Sequence, residues 1–364
     1  MSPRVSSEKF HNSPFSEETL TKLEIFQLYT REWLPVFLSK PEPLFPEIHL
    51  FDFCAGPGRD SNGNPGSPLR LINELKIYKN LPGFTKAKIF LHLYDANERA
   101  IALLLENIKQ PATTIPGVNI EIDTVAFKEA FKKNLPIFMN KKAAKLVFID
   151  QFGVGMVTDD IFKSLTDFPA CDFLFFIASS TLNRFHDHQA IKQKISRPED
   201  PYHVHRAVLD YFKQLLQRGS KYFLGAFSIK KAPNIYGLIF GSSHPLGIDK
   251  FLQVAWKKDS VTGEANFDID RDKIVPGELY LDMEIMRPTK VSVFEEDLEK
   301  HLRDQTIEDE SSVLRICYEH GVTPQHAERV LKKLKTEGFI KIDFRVPNVR
   351  RRSDPKRILY LKKS

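Results

Sequence analysis

The chain has 364 residues, 42% hydrophobic and 27% charged, with a net charge of +6. That length predicts two domains, or one large domain with an appendage; a mean hydropathy of −0.30 and the lack of any apolar run beyond six residues exclude a membrane-spanning helix. The opening MSPRVSSEKFHNSPF has no secretory apolar stretch. Cys54, Cys171 and Cys317 lie too far apart in sequence for a disulfide framework or a cysteine-rich zinc module, so a reducing cytoplasm is the expected compartment.

Taken in chain order, Ser16 followed by Glu17 and Glu18 predicts an N-cap with acids in the first helical turn. Leu20, Leu23, Phe26 and Trp33 give that helix an apolar stripe, and Pro35 is expected to bend or end it ahead of a proline-rich link. Residues 1–45 are thus expected to form an N-terminal helical segment. From 46 to 290, β-rich apolar runs alternate with longer mixed segments. The runs are Ile48 to Phe53, Ile89 to Tyr94, Val118 to Ile122, Leu146 to Ile149, Phe173 to Ile177, Tyr222 to Phe227 and Ile235 to Phe240. The first five are almost continuously apolar and separated by room for crossover helices, which predicts a doubly wound α/β sheet of seven strands. The last two, joined by a short polar loop, read as an antiparallel hairpin at its edge.

Residues 291–364 change pattern. Helices are predicted over Phe294 to Leu302, Ser311 to His320 and Pro324 to Glu337, followed by strands Phe339 to Val346 and Ile358 to Leu361. Gly321 and Gly338 stand at C-cap positions. This is the outline of a winged helix-turn-helix. Between Arg329 and Lys363 there are 13 lysines or arginines and three acids, so the rest of the chain is net negative and the tail is suited to a polyanion. In the third helix, Ala327, Val330, Leu331 and Leu334 form a buried face and leave Gln325, Arg329, Lys332, Lys333 and Thr336 for nucleic acid; Arg350, Arg351 and Arg352 occupy the wing. The alternative is a winged helix used only for protein contacts.

The most informative stretch is FDFCAGPGRDSNGNPGSPL, Phe51 to Leu69. A buried strand running into Ala-Gly-Pro-Gly turns sharply at the sheet edge where open α/β folds bind ligands. Asp52, Ala55, Gly56, Pro57 and Gly58 form the expected cradle, with room for a nucleoside bearing an amino-acid tail. The loop has neither the dinucleotide spacing nor the P-loop lysine. The next strand ends in Asp95, an acid able to accept both ribose hydroxyls. This combination is the layout of a class I S-adenosylmethionine-dependent methyltransferase. The fourth strand runs into Asp150-Gln151-Phe152-Gly153, where a carboxylate can orient an amine and an aromatic ring can stack on a base. An equally simple reading makes Asp150 a helix cap and Phe152 a core residue. The pairs His186/His188 and His203/His205 lack a completing carboxylate or cysteine cluster, so no metal is expected. His205 with Arg206 is read instead as part of a polyanion or substrate surface. Ser179-Ser180 lacks a nucleophile elbow.

KLEIFQLYTREWL, DFCAGPGRDSNGNPGSPL, FIDQFG, LNRF and YGLIFGSSHPLG together resemble the three-Cys-motif partner proteins of bacteria. The family's Asp-Pro-Phe-Gly appears here as Asp150-Gln151-Phe152-Gly153, and Ala126 stands where the family carries an acid after the third strand. The resemblance implies a class I methyltransferase-like domain with a winged helix, acting beside a radical-SAM-like protein that bears the three-cysteine motif. The expected activity is methylation of nucleic acid from S-adenosylmethionine. Asp150 and Phe152 would face the acceptor, and Arg184 with the basic tail would hold the polymer. The competing expectation is a non-catalytic nucleic-acid-binding scaffold that recruits the partner enzyme.

Overall fold

The computed structural model describes residues 13–150, 156–178, 204–217, 220, 222–231, 234–258, 266–268, 290–351 and 353–361. Helix α1 (Glu17–Leu38) begins where the Ser16 hydroxyl accepts from the Thr19 amide at 3.4 Å. Pro35 does not end it, and the helix continues to Leu38. Proline has no N–H for the carbonyl of Arg31; the Tyr78 hydroxyl of the next helix supplies that donor at 3.0 Å, which removes the cost of an unpaired carbonyl.

The chain then alternates strands and helices: β1 (Glu47–Asp52), α2 (Ser67–Tyr78), β2 (Lys88–Asp95), α3 (Glu98–Ala112), β3 (Val118–Thr124), α4 (Phe127–Lys133), α5 (Leu135–Met139) and β4 (Ala143–Ile149). It continues with α6 (Asp159–Asp167), β5 (Cys171–Ala178), α7 (Val204–Leu215), β6 (Phe223–Lys231), β7 (Asn234–Ser242), α8 (Pro245–Lys258) and β8 (Asn266–Asp268). The strands form one sheet in the order β3-β2-β1-β4-β5-β7-β6-β8. Strands β1 to β5 are parallel, and β7 alone runs against its neighbours. The seven predicted strands are present, in the class I methyltransferase arrangement. The short strand β8 adds an eighth at the edge, so the β6–β7 hairpin does not itself end the sheet.

Alternation along the strands sends side chains into two cores. Ile48 and Leu50 of β1 join the layer beneath α1, α2, α3 and α8, while Phe51 and Phe53 join that beneath α4 to α7. Every residue of β4 is buried, including Lys145, whose ammonium donates to the carbonyls of Phe138 (3.1 Å) and Asn140 (2.8 Å) at the end of α5. The strand order reverses between β1 and β4, which opens a crevice at their C-terminal ends.

The winged helix comprises α9 (Lys290–Arg303), α10 (Glu310–His320), a single 3-10 turn at Pro324–His326, α11 (Ala327–Thr336), and strands β9 (Ile340–Lys341) and β10 (Leu359–Tyr360). Gly321 (φ +68°) ends α10 in the left-handed conformation that glycine tolerates. The wing strands are far shorter than the predicted 339–346 and 358–361. Buried Glu310 accepts from the amides of Asn348 (2.7 Å) and Lys356 (3.3 Å) and from Arg351, pulling the intervening loop onto α10. Pro347 and Pro355 also cannot donate to a ladder. The module is clamped to α8: Trp256 Nε1 donates to the Gly321 carbonyl at 2.9 Å, and the buried Tyr318 hydroxyl to Asp249 at 3.0 Å.

Candidate functional site

The loop after β1 is held from three sides. Phe53 N donates to the Phe148 carbonyl (3.1 Å), Ala55 N to the Tyr94 carbonyl (2.9 Å) and Gly56 N to Asp95 Oδ2 (2.9 Å). Gly56 (φ +59°) has open space where a Cβ would point, the cradle geometry a ligand lying on the main chain requires. Gly58 (φ +80°) has a different reason: a Cβ there would meet Leu104 Cδ1 at 2.8 Å, so this glycine serves the packing of α3. Ala55, Pro57 and Gly58 are buried; Gly56 is half-exposed.

Asp60, absent from the expected cradle, organises the rest of the loop. Its carboxylate accepts from the amides of Phe15 (2.8 Å), Asn62 (2.9 Å) and Asn64 (2.7 Å) and from the Asn64 side chain (2.8 Å). Against the upward push of burial, these donors hold its carboxyl below the ordinary range. The Asx-type pattern of Asp60-x-Asn62-Gly63-Asn64 is the signal that could have found it.

Three carboxylates gather at the crevice. Asp95 is half-buried and uses Oδ1 to accept from Asn97 N (2.9 Å) besides holding Gly56; a carboxylate has further lone pairs to offer. Asp52 is fully buried, with Oδ1 accepting from Cys54 N at 3.1 Å and Oδ2 without any hydrogen-bond partner. Burial pushes its pKa up to about 7, only partly offset by the nearby Ser67 hydroxyl and the Cys54 amide. Asp150, beyond β4, is 6% exposed and bonded through Oδ1 to Lys22 Nζ of α1 at 2.6 Å. Lys22 also stands 4.9 Å from the Phe176 ring centroid. No sequence cue connected it to Asp150; its only mark is a lysine in a turn of α1 otherwise buried. Burial, then the carboxylates of Asp52, Asp150 and Asp95, push the Cys54 thiol well up.

The winged-helix residues separate. Gln325, Lys332, Thr336 and Arg350 are exposed, whereas Arg329 pairs with Glu295, Lys333 with Glu299 (2.8 Å), and Arg351 with Glu310. Phe152, Arg184, Arg352, His186, His188, His203 and Ser179-Ser180 lie outside the described residues, and the His205 side chain is likewise not described. Among the described residues there is no cluster of three or more His, Cys, Asp or Glu suited to a metal, and no helix long and apolar enough to cross a membrane.

A family model described as a GMT-like wHTH domain matches residues 266–346. No curated protein matches the chain. Solved structures with partial likeness include M. jannaschii TYW2 in complex with AdoMet, at 14% identity and TM-score 0.30, covering 62% of this chain and 75% of that one. A SAM-dependent methyltransferase from Agrobacterium tumefaciens matches at 11% identity and TM-score 0.33, covering 62% of each chain. Spermidine synthase from Thermotoga maritima matches at 17% identity and TM-score 0.30, covering 59% of this chain and 60% of that one. The matched region spans less than two thirds of the latter two proteins, and likenesses this distant say nothing about the reaction. What strand order and family match together establish is a class I methyltransferase-type sheet followed by a winged helix-turn-helix.

Proposed function

We propose that the chain is an S-adenosylmethionine-dependent methyltransferase acting on nucleic acid, and that it works beside a radical-SAM-like partner bearing a three-cysteine motif. The observation that carries the cofactor reading is Asp52 Oδ2, a fully buried carboxylate oxygen without a partner beside the open main chain of Gly56. Such an oxygen costs free energy unless a donor meets it, and a cationic or hydrogen-bond-donating ligand removes that cost. The residues present therefore fit the cofactor: Gly56 offers a bare backbone, Asp95 a ribose-binding carboxylate and Asp52 an acceptor for its amino-acid end. When bound, S-adenosylmethionine supplies an electrophilic methyl group on a sulfonium. Asp150, held by Lys22, stands at the end of β4 to orient an acceptor, with Phe152 following it in sequence. The winged helix supports the nucleic-acid part of this reading through its exposed cations.

Calorimetry of S-adenosylhomocysteine against the wild type should give micromolar-range affinity, lost in Asp95→Ala with the melting temperature recorded alongside. Absence of heat at millimolar ligand would sink the enzyme reading. A second reading, a nucleic-acid-binding scaffold without catalysis, is favoured by one observation: Asp150 is 6% exposed with Oδ1 bonded to the Lys22 ammonium, which leaves only the largely buried Oδ2 to meet an acceptor amine. Transfer of label from methyl-labelled S-adenosylmethionine to cellular RNA and DNA by the purified protein, wild type against Asp95→Ala, separates the two, because a scaffold transfers none.

A further inference from the structure

The cations of the winged helix fall into two electrostatic classes. Helix α9 carries Glu295, Glu296, Asp297 and Glu299, and it faces one side of α11. There Arg329 pairs with Glu295, Lys333 with Glu299 at 2.8 Å, and Arg303 with both Glu299 (2.7 Å) and Glu337 (2.8 Å). Individual surface pairs are weak, but the carboxylates stay in place whether or not each bond is made, so the local potential on this side is cancelled. A phosphate arriving there meets as many acids as bases.

The other side of α11 is different. Lys332 and Lys335 are exposed and have no ion pair among the described residues. They flank a groove of about 610 Å³ whose far wall is the segment 342–345. Its apolar lining is Leu331, Ile342 and Phe344, each under 9% exposed. The groove's two acids are already answered, Glu328 by Arg345 and Asp343 by Lys356 at 2.9 Å. Two uncompensated lysines remain. Side chains three residues apart on a helix have Cβ atoms about 5–6 Å apart, and lysine stems can spread further.

We propose that the phosphodiester backbone of a nucleic acid seats in this groove between α11 and segment 342–345, with neighbouring phosphates on Lys332 and Lys335, and not across the side of α11 that faces α9. The assignment rests on the nucleic-acid reading above and adds where the polymer lies. It differs from the sequence expectation, which treated Arg329, Lys332 and Lys333 as one surface.

The test is fluorescence anisotropy with a labelled mixed-sequence DNA duplex of about 20 base pairs, titrated over a salt series, because each phosphate contact contributes about −0.9 to the log-log slope. Three full-length proteins are compared: wild type, Lys332→Ala with Lys335→Ala, and a charge-neutral variant carrying Arg329→Gln, Glu295→Gln, Lys333→Gln and Glu299→Gln. Thermal melts confirm that each is folded. The groove variant should flatten the slope by about two units and weaken binding roughly tenfold or more at low salt, while the neutral variant keeps the wild-type slope. A groove variant with unaltered slope, or a neutral variant that loses it, overturns the assignment while leaving nucleic-acid binding intact. Wild type that binds neither this duplex nor an RNA of the same length at low salt removes the nucleic-acid reading and the assignment with it.

Discussion

Replacing Asp52 by asparagine should stabilise the protein and disable the site at once. The carboxyl is fully buried, one oxygen has no partner, and burial raises its pKa from 3.8 to about 7. A group whose folded pKa is raised favours folding at low pH and loses that advantage as pH climbs. Below pH 4 both folded and unfolded chains carry the neutral acid. Between pH 4 and 7 the unfolded chain releases a proton that the folded chain retains, and above 7 the full penalty applies. The shift corresponds to an upper bound of about 4 kcal/mol, which relaxation around the site reduces to about 2 kcal/mol. Asparagine carries no charge, keeps an oxygen for the Cys54 amide, and can point its NH2 toward the Ser67 hydroxyl. Thermal denaturation at pH 8 should therefore show Asp52→Asn melting several degrees above wild type, with the two curves converging near pH 4. Calorimetry with S-adenosylhomocysteine should show weaker binding by the same variant. A variant no more stable than wild type at pH 8, or a gap that does not change with pH, would refute the claim that a buried carboxylate with one unpartnered oxygen is held here at a cost to stability.

Four further outcomes follow from the packing. Gly58→Ala places a Cβ 2.8 Å from Leu104 at a positive φ and should cost about 1–3 kcal/mol in urea denaturation. Gly56→Ala, with open space around it, should cost less stability and instead reduce cofactor affinity, so a Gly56 variant that binds normally contradicts the cradle. His49, bonded to His92 at 3.0 Å, is pushed down to about 3 by burial first and by the His92 and Lys145 charges after it, so its contribution to stability is complete above the ordinary histidine pKa and declines as pH falls toward 3. His49→Phe, which preserves stacking on Phe90, should flatten the loss of stability between pH 7 and 5 by about 1–2 kcal/mol, measured by denaturant titration at both values. Tyr318→Phe strands the buried Asp249 oxygen at the domain junction and should destabilise by about 1–3 kcal/mol; an unchanged melt would mean that water replaces the hydroxyl.

The strands were legible because β1, β2, β4 and β5 are hidden on both faces and leave nearly unbroken apolar runs, and the hairpin because a short polar loop separates two such runs. The winged helix showed itself through the buried stripe Ala327, Val330, Leu331 and Leu334. Strand β8 was invisible: three residues, Asn-Phe-Asp, carry no periodicity, and their pairing with β6 is decided by the sheet edge. The wing was misjudged because its length depends on Glu310, which lies 38 residues before Asn348 and reads as an ordinary acid in a first helical turn. The glycine loop could be placed from its composition, but not the differing reasons for Gly56 and Gly58, since one answers to open space and the other to Leu104. Lys22 and Asp150, 128 residues apart, meet only because α1 folds across the end of β4.

Helix α8 touches both ends of the molecule. It holds the winged helix through Asp249 and Trp256, and it grips α1 through Lys250 with Glu32 (2.7 Å) and Lys258 with Glu24. Helix α1 in turn carries Lys22 to the crevice. A tilt of the winged helix would strain the Asp249 and Trp256 bonds, and so pull on the helix that is tied in turn to the one supplying the crevice with its ammonium. Small-angle scattering of the free protein should accordingly fit one fixed arrangement of the two parts, and Tyr318→Phe combined with Trp256→Phe should broaden it.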